Sequence, residues 1–291
     1  MAIAARAGAD APRLPWTKRL AARGPLHAVL IFVALVWLTP SVGLFVTSFR
    51  TPADYAESGW WTALTSPRQF TLQPYKELLD NPSIVEGLTN TVKIAVPASI
   101  AVVLIAALAG YAFAWIDFRG RDAAFVVVVG LLVVPLQMAL IPAARLFGQV
   151  GIFGTFWAAI LFHVAFGLPF AIFLLRNFFI GIPKDLLEAA RLDGASEWQI
   201  FSRLVLPLGM PAIASLLIFQ LLWTWNDLLV GLIFAGDDAP LTVLLRQEMR
   251  QYGTNIDIIA PGAFVLMLVP LIVFFAFQRY FVQGILAGSV K

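Results

Sequence analysis

Residues 188–211 read EAARLDGASEWQIFSRLVLPLGMP, a charged interruption between two strongly apolar runs at 153–175 and 212–235. Its punctuation is that of two short helices rather than a loose loop. Pro183 suits the first position of a helix over 184–192, and Gly194 suits its end. Ser196 can cap a second helix running to about Leu206, with Glu197 in the first turn beside the positive end of the dipole. Pro207 and Pro211 then close the segment and begin the next apolar run. On the first helix Leu187, Ala190 and Arg191 fall at i, i+3 and i+4, and two small alanines, Ala189 and Ala190, stand beside the acid Glu188, allowing a partner to come close. Trp198 and Phe201, three apart, make an apolar edge that would fit a groove. From the pattern alone two readings stand: a helix pair shaped to dock on a protein, or an interfacial helix resting on lipid headgroups.

The composition around this knuckle is that of a membrane protein. Of 291 residues, 60% are hydrophobic and 13% charged, the latter about half of the roughly 25% usual for a soluble domain. Mean hydropathy is +0.85. The net charge of +3 reflects Lys and Arg flanking membrane segments and gives no reason to expect nucleic acid as a partner. With no cysteine, disulfides and thiolate metal sites are excluded. Each span needs about 20 mostly apolar residues, and six stretches qualify: 26–48, 94–116, 123–144, 153–175, 212–235 and 260–281. The expected fold is therefore all-α and polytopic, with a basic tail over 1–25 and one six-helix transmembrane domain over 26–291. The first run is too long for a signal-peptide core and is interrupted by Thr39-Pro40 instead of a cleavage site. Pro135 and Pro142 predict a kink or break in the third span.

Most of the 20 Lys and Arg lie in the tail (Arg6, Arg13, Lys18, Arg19, Arg23), at Arg119 and Arg121, in the knuckle region (Arg176, Lys184, Arg191, Arg203) and at the end (Arg279, Lys291). Fewer lie in the alternate loops (Arg50, Arg68, Lys76, Lys93, Arg145, Arg246, Arg250). That bias puts both termini and the knuckle in the cytoplasm. Residues 49–93 become a long outer segment folded over the outer mouth, and 236–259 a second outer loop.

Polar groups inside spans face a cavity or a partner helix. The fifth span carries Gln220, Trp223, Trp225, Asn226 and Asp227, the aromatic faces, amide and carboxylate that a sugar site would use. The competing reading is that Asn226-Asp227 caps a broken helix while the tryptophans pack. His163 is expected to pack through a hydrogen bond, Gln137 is a lesser cavity candidate, and Asn90-Thr91 reads as the cap of the second span. No catalytic constellation, metal-ligand spacing or phosphate-binding glycine loop is present in the sequence, so hydrolysis of ATP by a P-loop cannot belong to this chain.

Glu188-Ala189-Ala190, Asp193-Gly194-Ala195 and Leu206-Pro207 together resemble the EAA signature of permease subunits of ABC importers. Trp225-Asn226-Asp227 and the ending 277–284 with 288–291 resemble the carbohydrate (MalG-like) permeases, and Trp37 to Pro40, Ser48 to Arg50 and Asn226 to Val230 resemble the alpha-glucoside type. The resemblance covers roughly 26–291. It implies a type I importer fold in a bacterial or archaeal plasma membrane, with 183–211 as the coupling loop. Glu188, Ala189, Ala190, Asp193, Gly194 and Ala195 would then dock on one of two ATP-binding cassette subunits, which use ATP and magnesium while this chain binds no cofactor. It also implies a homologous second permease and an extracytoplasmic solute-binding protein under which 236–259 would lie. A di- or oligosaccharide is the expected cargo. Glycerol phosphate, the near alternative, would want cations along the pathway. A secondary transporter would show repeated halves or charges at the bilayer midplane, and of the span residues only Asp227 qualifies; a membrane enzyme would show a catalytic cluster at one face.

Overall fold

The computed structural model describes the backbone of residues 16–252 and 255–287 and the side chains of 24–249 and 255–277. Arg6, Arg13 and the 288–291 ending lie outside the described residues, as do the side chains of Lys18, Arg19, Arg23, Arg250, Arg279 and the 278–284 stretch. All regular structure among the described residues is helical. Packing divides the chain at Thr71 into two units.

In the first unit, α1 (Trp16–Thr47) runs unbroken through Pro40. It is followed by α2 (Pro52–Glu57) and two short 3-10 turns, Trp60–Leu64 and Pro67–Gln69. Gly43 lets the Trp60 indole lie on α1: a Cβ there would stand 2.9 Å from Trp60 Nε1. The Arg50 guanidinium is buried; its NH2 donates to the Asp54 carbonyl at 2.6 Å and its NH1 to the Ser58 carbonyl at 3.1 Å.

The second unit opens with α3 (Gln73–Asp80) and α4 (Pro82–Trp115). The Asn81 side chain accepts from Ser83 N at 3.1 Å with Pro82 in the first turn, the cap and proline pairing that starts helices. Thus α4 begins twelve residues before the expected 94 and is 34 residues long. At 1.5 Å per residue that is about 50 Å, against about 30 Å of hydrocarbon, so α4 carries on beyond the membrane at its Asn81 end. Two expectations are corrected here. The last part of the 49–93 segment is helix, not loop. Asn90 and Thr91 lie inside α4 and do not cap it. Thr91 Oγ1 instead accepts from Leu241 N at 2.9 Å, so it caps another helix across space.

The expected third span is two helices, α5 (Arg121–Leu131) and α6 (Leu136–Val150), bent by 103°. Pro135 precedes α6 in extended geometry, where its ring and lost N–H end the α5 path. Then α7 (Phe156–Ile180) recrosses. It packs along α4 through small residues: Ala98, Ala106, Ala158, Ala159 and Ala171 are fully buried, and a Cβ on Gly110 would stand 3.1 Å from Arg176 N. Small side chains let membrane helices close on one another. Arg176 covers the Phe125 ring at 3.9 Å, which fastens α7 to α5.

After α7 come α8 (Lys184–Leu192) and α9 (Glu197–Ile200), then a π-helical turn at Phe201–Val205 and α10 (Leu206–Trp225). No break separates α9 from α10, contrary to expectation. In the wider turn Leu206 N donates to Phe201 O, and this fivefold spacing absorbs the donor that Pro207 lacks. The fifth span is thus 197–225 instead of 212–235. It stops at Trp225, and α11 (Leu229–Phe234) starts anew. The supposed loop 236–259 contains α12 (Leu241–Tyr252), and α13 (Ile256–Ala287) completes the unit. Among the described residues, five helices are long and apolar enough to cross a membrane, or six if the bent pair counts as one span.

Candidate functional site

The knuckle is built from local chemistry. Gly194, at φ 81°, makes the left-handed step after α8 that a side chain would strain. Ser196 and Gln199 form a reciprocal box: Gln199 N donates to Ser196 Oγ at 3.3 Å and Ser196 N to Gln199 Oε1 at 2.8 Å. Leu187, Ile200 and Val205 are buried in the core shared with Val102, Ala106, Leu175 and Phe179. The outer side keeps exposed apolar groups, Leu192 at 89% and Trp198 at 65%. Trp198 and Phe201 stay in ring contact, 5.7 Å between centroids. Phe201 is buried and also meets the Tyr111 ring, 5.3 Å between centroids, so only Trp198 is left as the exposed part of that apolar edge.

Of the six expected docking residues, Ala190, Asp193, Gly194 and Ala195 line one shallow depression of about 370 Å³ together with Arg203. Glu188 and Ala189 are exposed but outside its lining. Lys184 Nζ donates to Glu188 Oε1 at 2.7 Å, and this hydrogen bond holds the carboxyl below the usual carboxylate value. The Glu188 charge is therefore fixed at physiological pH.

Sequence reasoning missed what holds the knuckle down. Arg191 Nε donates to Glu197 Oε1 at 2.9 Å and Arg191 NH2 to the Trp115 carbonyl at 3.2 Å. The Tyr111 hydroxyl donates to Glu197 Oε2, and Trp115 Nε1 to the Phe179 carbonyl at 3.0 Å. The available signal was a Tyr and a Trp in the last turn of a span, each an apolar body with a polar tip that needs a partner.

The fifth-span cluster divides. Trp223, 55% exposed, and the buried Gln220 line a cleft of about 230 Å³ with His163, Gly167, Phe170 and Phe219. Its far wall is Leu131, Leu132 and Leu136, at the break between α5 and α6. Gln220 Nε2 donates to Thr224 Oγ1 at 3.3 Å. Gln137 is exposed and is not part of this lining. Trp225 is buried, and its Nε1 donates to the Leu266 carbonyl at 2.8 Å. Asn226 Nδ2 donates to the Leu222 carbonyl at 2.8 Å. Asp227 lies past the helix end, and its Oδ2 accepts from Val230 N and Gly231 N at 2.8 and 3.1 Å, capping the first turn of α11 from the residue before its N-cap position, Leu228. His163 Nε2 is 3.8 Å from that oxygen, longer than a hydrogen bond; in place of the expected hydrogen bond, His163 forms one wall of the cleft.

This division predicts different outcomes at one position. Asp227→Asn keeps an accepting oxygen of the same shape and is expected to transport within about threefold of the parent, since Asn and Asp cap equally well. Asp227→Ala should lose about 1 kcal/mol or more of local stability. Transport assays and thermal melts on both variants check this, and a severe transport loss in Asp227→Asn at unchanged melting temperature would instead make the carboxylate a cargo ligand.

Apolar spans lining a cleft, with a polar helix pair, the hook, between two of them, suit a membrane transport subunit, and comparison with known proteins bears this out. The chain belongs to the binding-protein-dependent transport system inner membrane component family, whose model matches residues 102–287. It is 49% identical over 273 residues to the osmoprotective compounds uptake permease GgtD of Synechocystis, covering 92% of each chain. It is 51% identical over 254 residues to the alpha-glucoside permease AglG of Rhizobium meliloti, covering 84% of this chain and 67% of that one. The fold matches a subunit of a bacterial ABC transporter that imports alginate, with a TM-score of 0.72 at 22% identity over 93% and 99% of the two chains.

Proposed function

We propose that this chain is a pathway-forming subunit of an ATP-driven importer for a neutral di- or oligosaccharide of the alpha-glucoside type. The observation that carries the cargo is the alpha-glucoside relative at 51% identity. The cleft supports it, because its lining offers aromatic faces, an amide and an imidazole but no Lys or Arg that a phosphate would want. Gln220 and Trp223 face the cargo, while Trp225, Asn226 and Asp227 fix the end of the span that carries them. A second reading comes from the Synechocystis relative, named for osmoprotective compounds, and would make a small compatible solute the cargo.

In this reading residues 26–291 act as one permease domain beside a homologous partner permease, the 1–25 tail and both termini face the cytoplasm, and a solute-binding protein delivers cargo to the opposite face. Two separate ATPase subunits hydrolyse ATP with magnesium. One receives the 183–211 loop through Glu188, Ala189, Ala190, Asp193, Gly194 and Ala195. Their closure moves the spans because the open and closed forms bind the hook differently. The test is purification of the tagged chain from its host in mild detergent, then reconstitution and uptake of labelled maltose, sucrose, trehalose and glycerol 3-phosphate. Co-purifying ATPase subunits and ATP-dependent uptake of an alpha-glucoside are expected. ATP-dependent uptake of glycerol 3-phosphate alone, or no ATPase subunit in the preparation, would overturn the proposal.

A further inference from the structure

Besides its short link to α7 through residues 181–183, the hook has two connections to the spans, and they differ in kind. Its direct connection, to α10, passes through the π-helical turn Phe201–Val205, a form of helix that accommodates an extra residue per turn and is common at functional sites. Its lateral connection, to α4, is made of charge-assisted hydrogen bonds, which are shorter and stronger than neutral ones. Glu197 is the centre of that connection. One carboxylate oxygen takes Arg191 Nε at 2.9 Å, and the other takes the Tyr111 hydroxyl as well as Arg191 NH2 at 3.4 Å. Arg191 also reaches the Trp115 carbonyl at the last residue of α4, and Trp115 in turn donates to the end of α7. Three helices contribute: α8 gives Arg191, α9 gives Glu197, and α4 gives Tyr111 and Trp115. The apolar contact of Phe201 with the Tyr111 ring lies directly beside the network.

We infer that Glu197 is a positioning residue that clips the hook to α4, so that hook and α4 move as one body while the π turn yields. The force from a docked partner would then enter the α4–α7 seam rather than α10, the span that continues from the hook. The inference rests on the docking reading above, but its own claim concerns only which helix the hook follows.

The chain's lack of cysteine permits a direct measurement. Spin labels at Leu192→Cys on the hook and Leu108→Cys on α4, both exposed positions, report hook-to-α4 distance in the assembled complex. A third label at Phe219→Cys on α10 reports hook-to-α10 distance. Between the nucleotide-free and the ATP–vanadate-trapped complex, the hook-to-α4 distance is expected to stay narrow and unchanged, while hook-to-α10 shifts. Tyr111→Phe, which removes one hydroxyl, and Glu197→Gln, which keeps the shape but not the charge, should each broaden the hook-to-α4 distribution. They should also raise the ATP consumed per alpha-glucoside imported by roughly tenfold, the low end of what a hydrogen bond to a charged group supports, with the ATPase subunits still bound. A hook-to-α4 distance that shifts on trapping in the parent complex overturns the inference, as does an unchanged ATP-to-cargo ratio in both variants. Failure of the ATPase subunits to copurify with the parent chain would strike the docking reading instead.

Discussion

Glu188→Lys is expected to bring ATP-dependent uptake down to background while the protein inserts and accumulates like the parent. The two halves of that expectation have separate physical grounds. Among the described residues, the ion pair Glu188 makes is with Lys184, an exposed pair four residues apart on one helix face, and such pairs contribute little to folding. Nothing buried depends on the carboxylate. At a docking surface the same substitution places a cation where an anion stood, next to Lys184 and one helical turn from Arg191, and like charges brought together at an interface oppose association. Uptake by reconstituted vesicles, ATPase subunits retained on affinity purification, and the level of chain in the membrane fraction give the three readings. Normal uptake in Glu188→Lys would remove the carboxylate from the docking surface.

Gly236→Ala is expected to fail earlier, at folding. Gly236 has φ 56°, and a Cβ on it would stand 2.4 Å from the Gly154 carbonyl oxygen. The left-handed conformation costs an alanine roughly 1–2 kcal/mol. The collision is with backbone, which cannot rotate away, and overpacking of this kind adds about 1–3 kcal/mol. Against a total stability of about 5–15 kcal/mol the sum is large. The damage also propagates. Two residues on, Asp238 Oδ2 accepts from Phe156 N at 2.9 Å and so caps α7 from outside it. Displacing Gly236 removes that cap from the span that packs along α4. Aggregated or degraded protein on gel filtration in detergent is the expected result; a monodisperse variant with an unchanged melting temperature would show that the turn relaxes freely.

What could be read from the sequence was what is local. The knuckle was legible because Gly194, Ser196 and Gln199 act within a few residues of one another, and the first apolar run because α1 carries it without interruption. Span ends were misplaced wherever hydropathy and hydrogen bonding disagree. Residues 212–235 average as one apolar run, so hydropathy carries the span to 235; the local mark of the helix ending at Trp225 is the polar pair Asn226-Asp227, whose carboxylate caps the helix that follows. Residues 82–93 are too polar for a span, yet Asn81 and Pro82 start the helix there. Pairings across the fold left no local trace at all. Tyr111 and Glu197 are 86 positions apart, and Trp225 looked like a platform for a sugar until its indole N–H was found to be spent on the Leu266 carbonyl, 41 positions away.

The 103° elbow between α5 and α6 limits what can lie against it. From Arg121, the 11 residues of α5 advance about 16 Å, about half of the hydrocarbon thickness, before the chain turns. There no side chain caps the first turn of α6, and Val133 is 81% exposed. Irregular backbone at such depth is tolerated only against protein or water, never against acyl chains, so this side of the elbow calls for a covering that lipid does not supply.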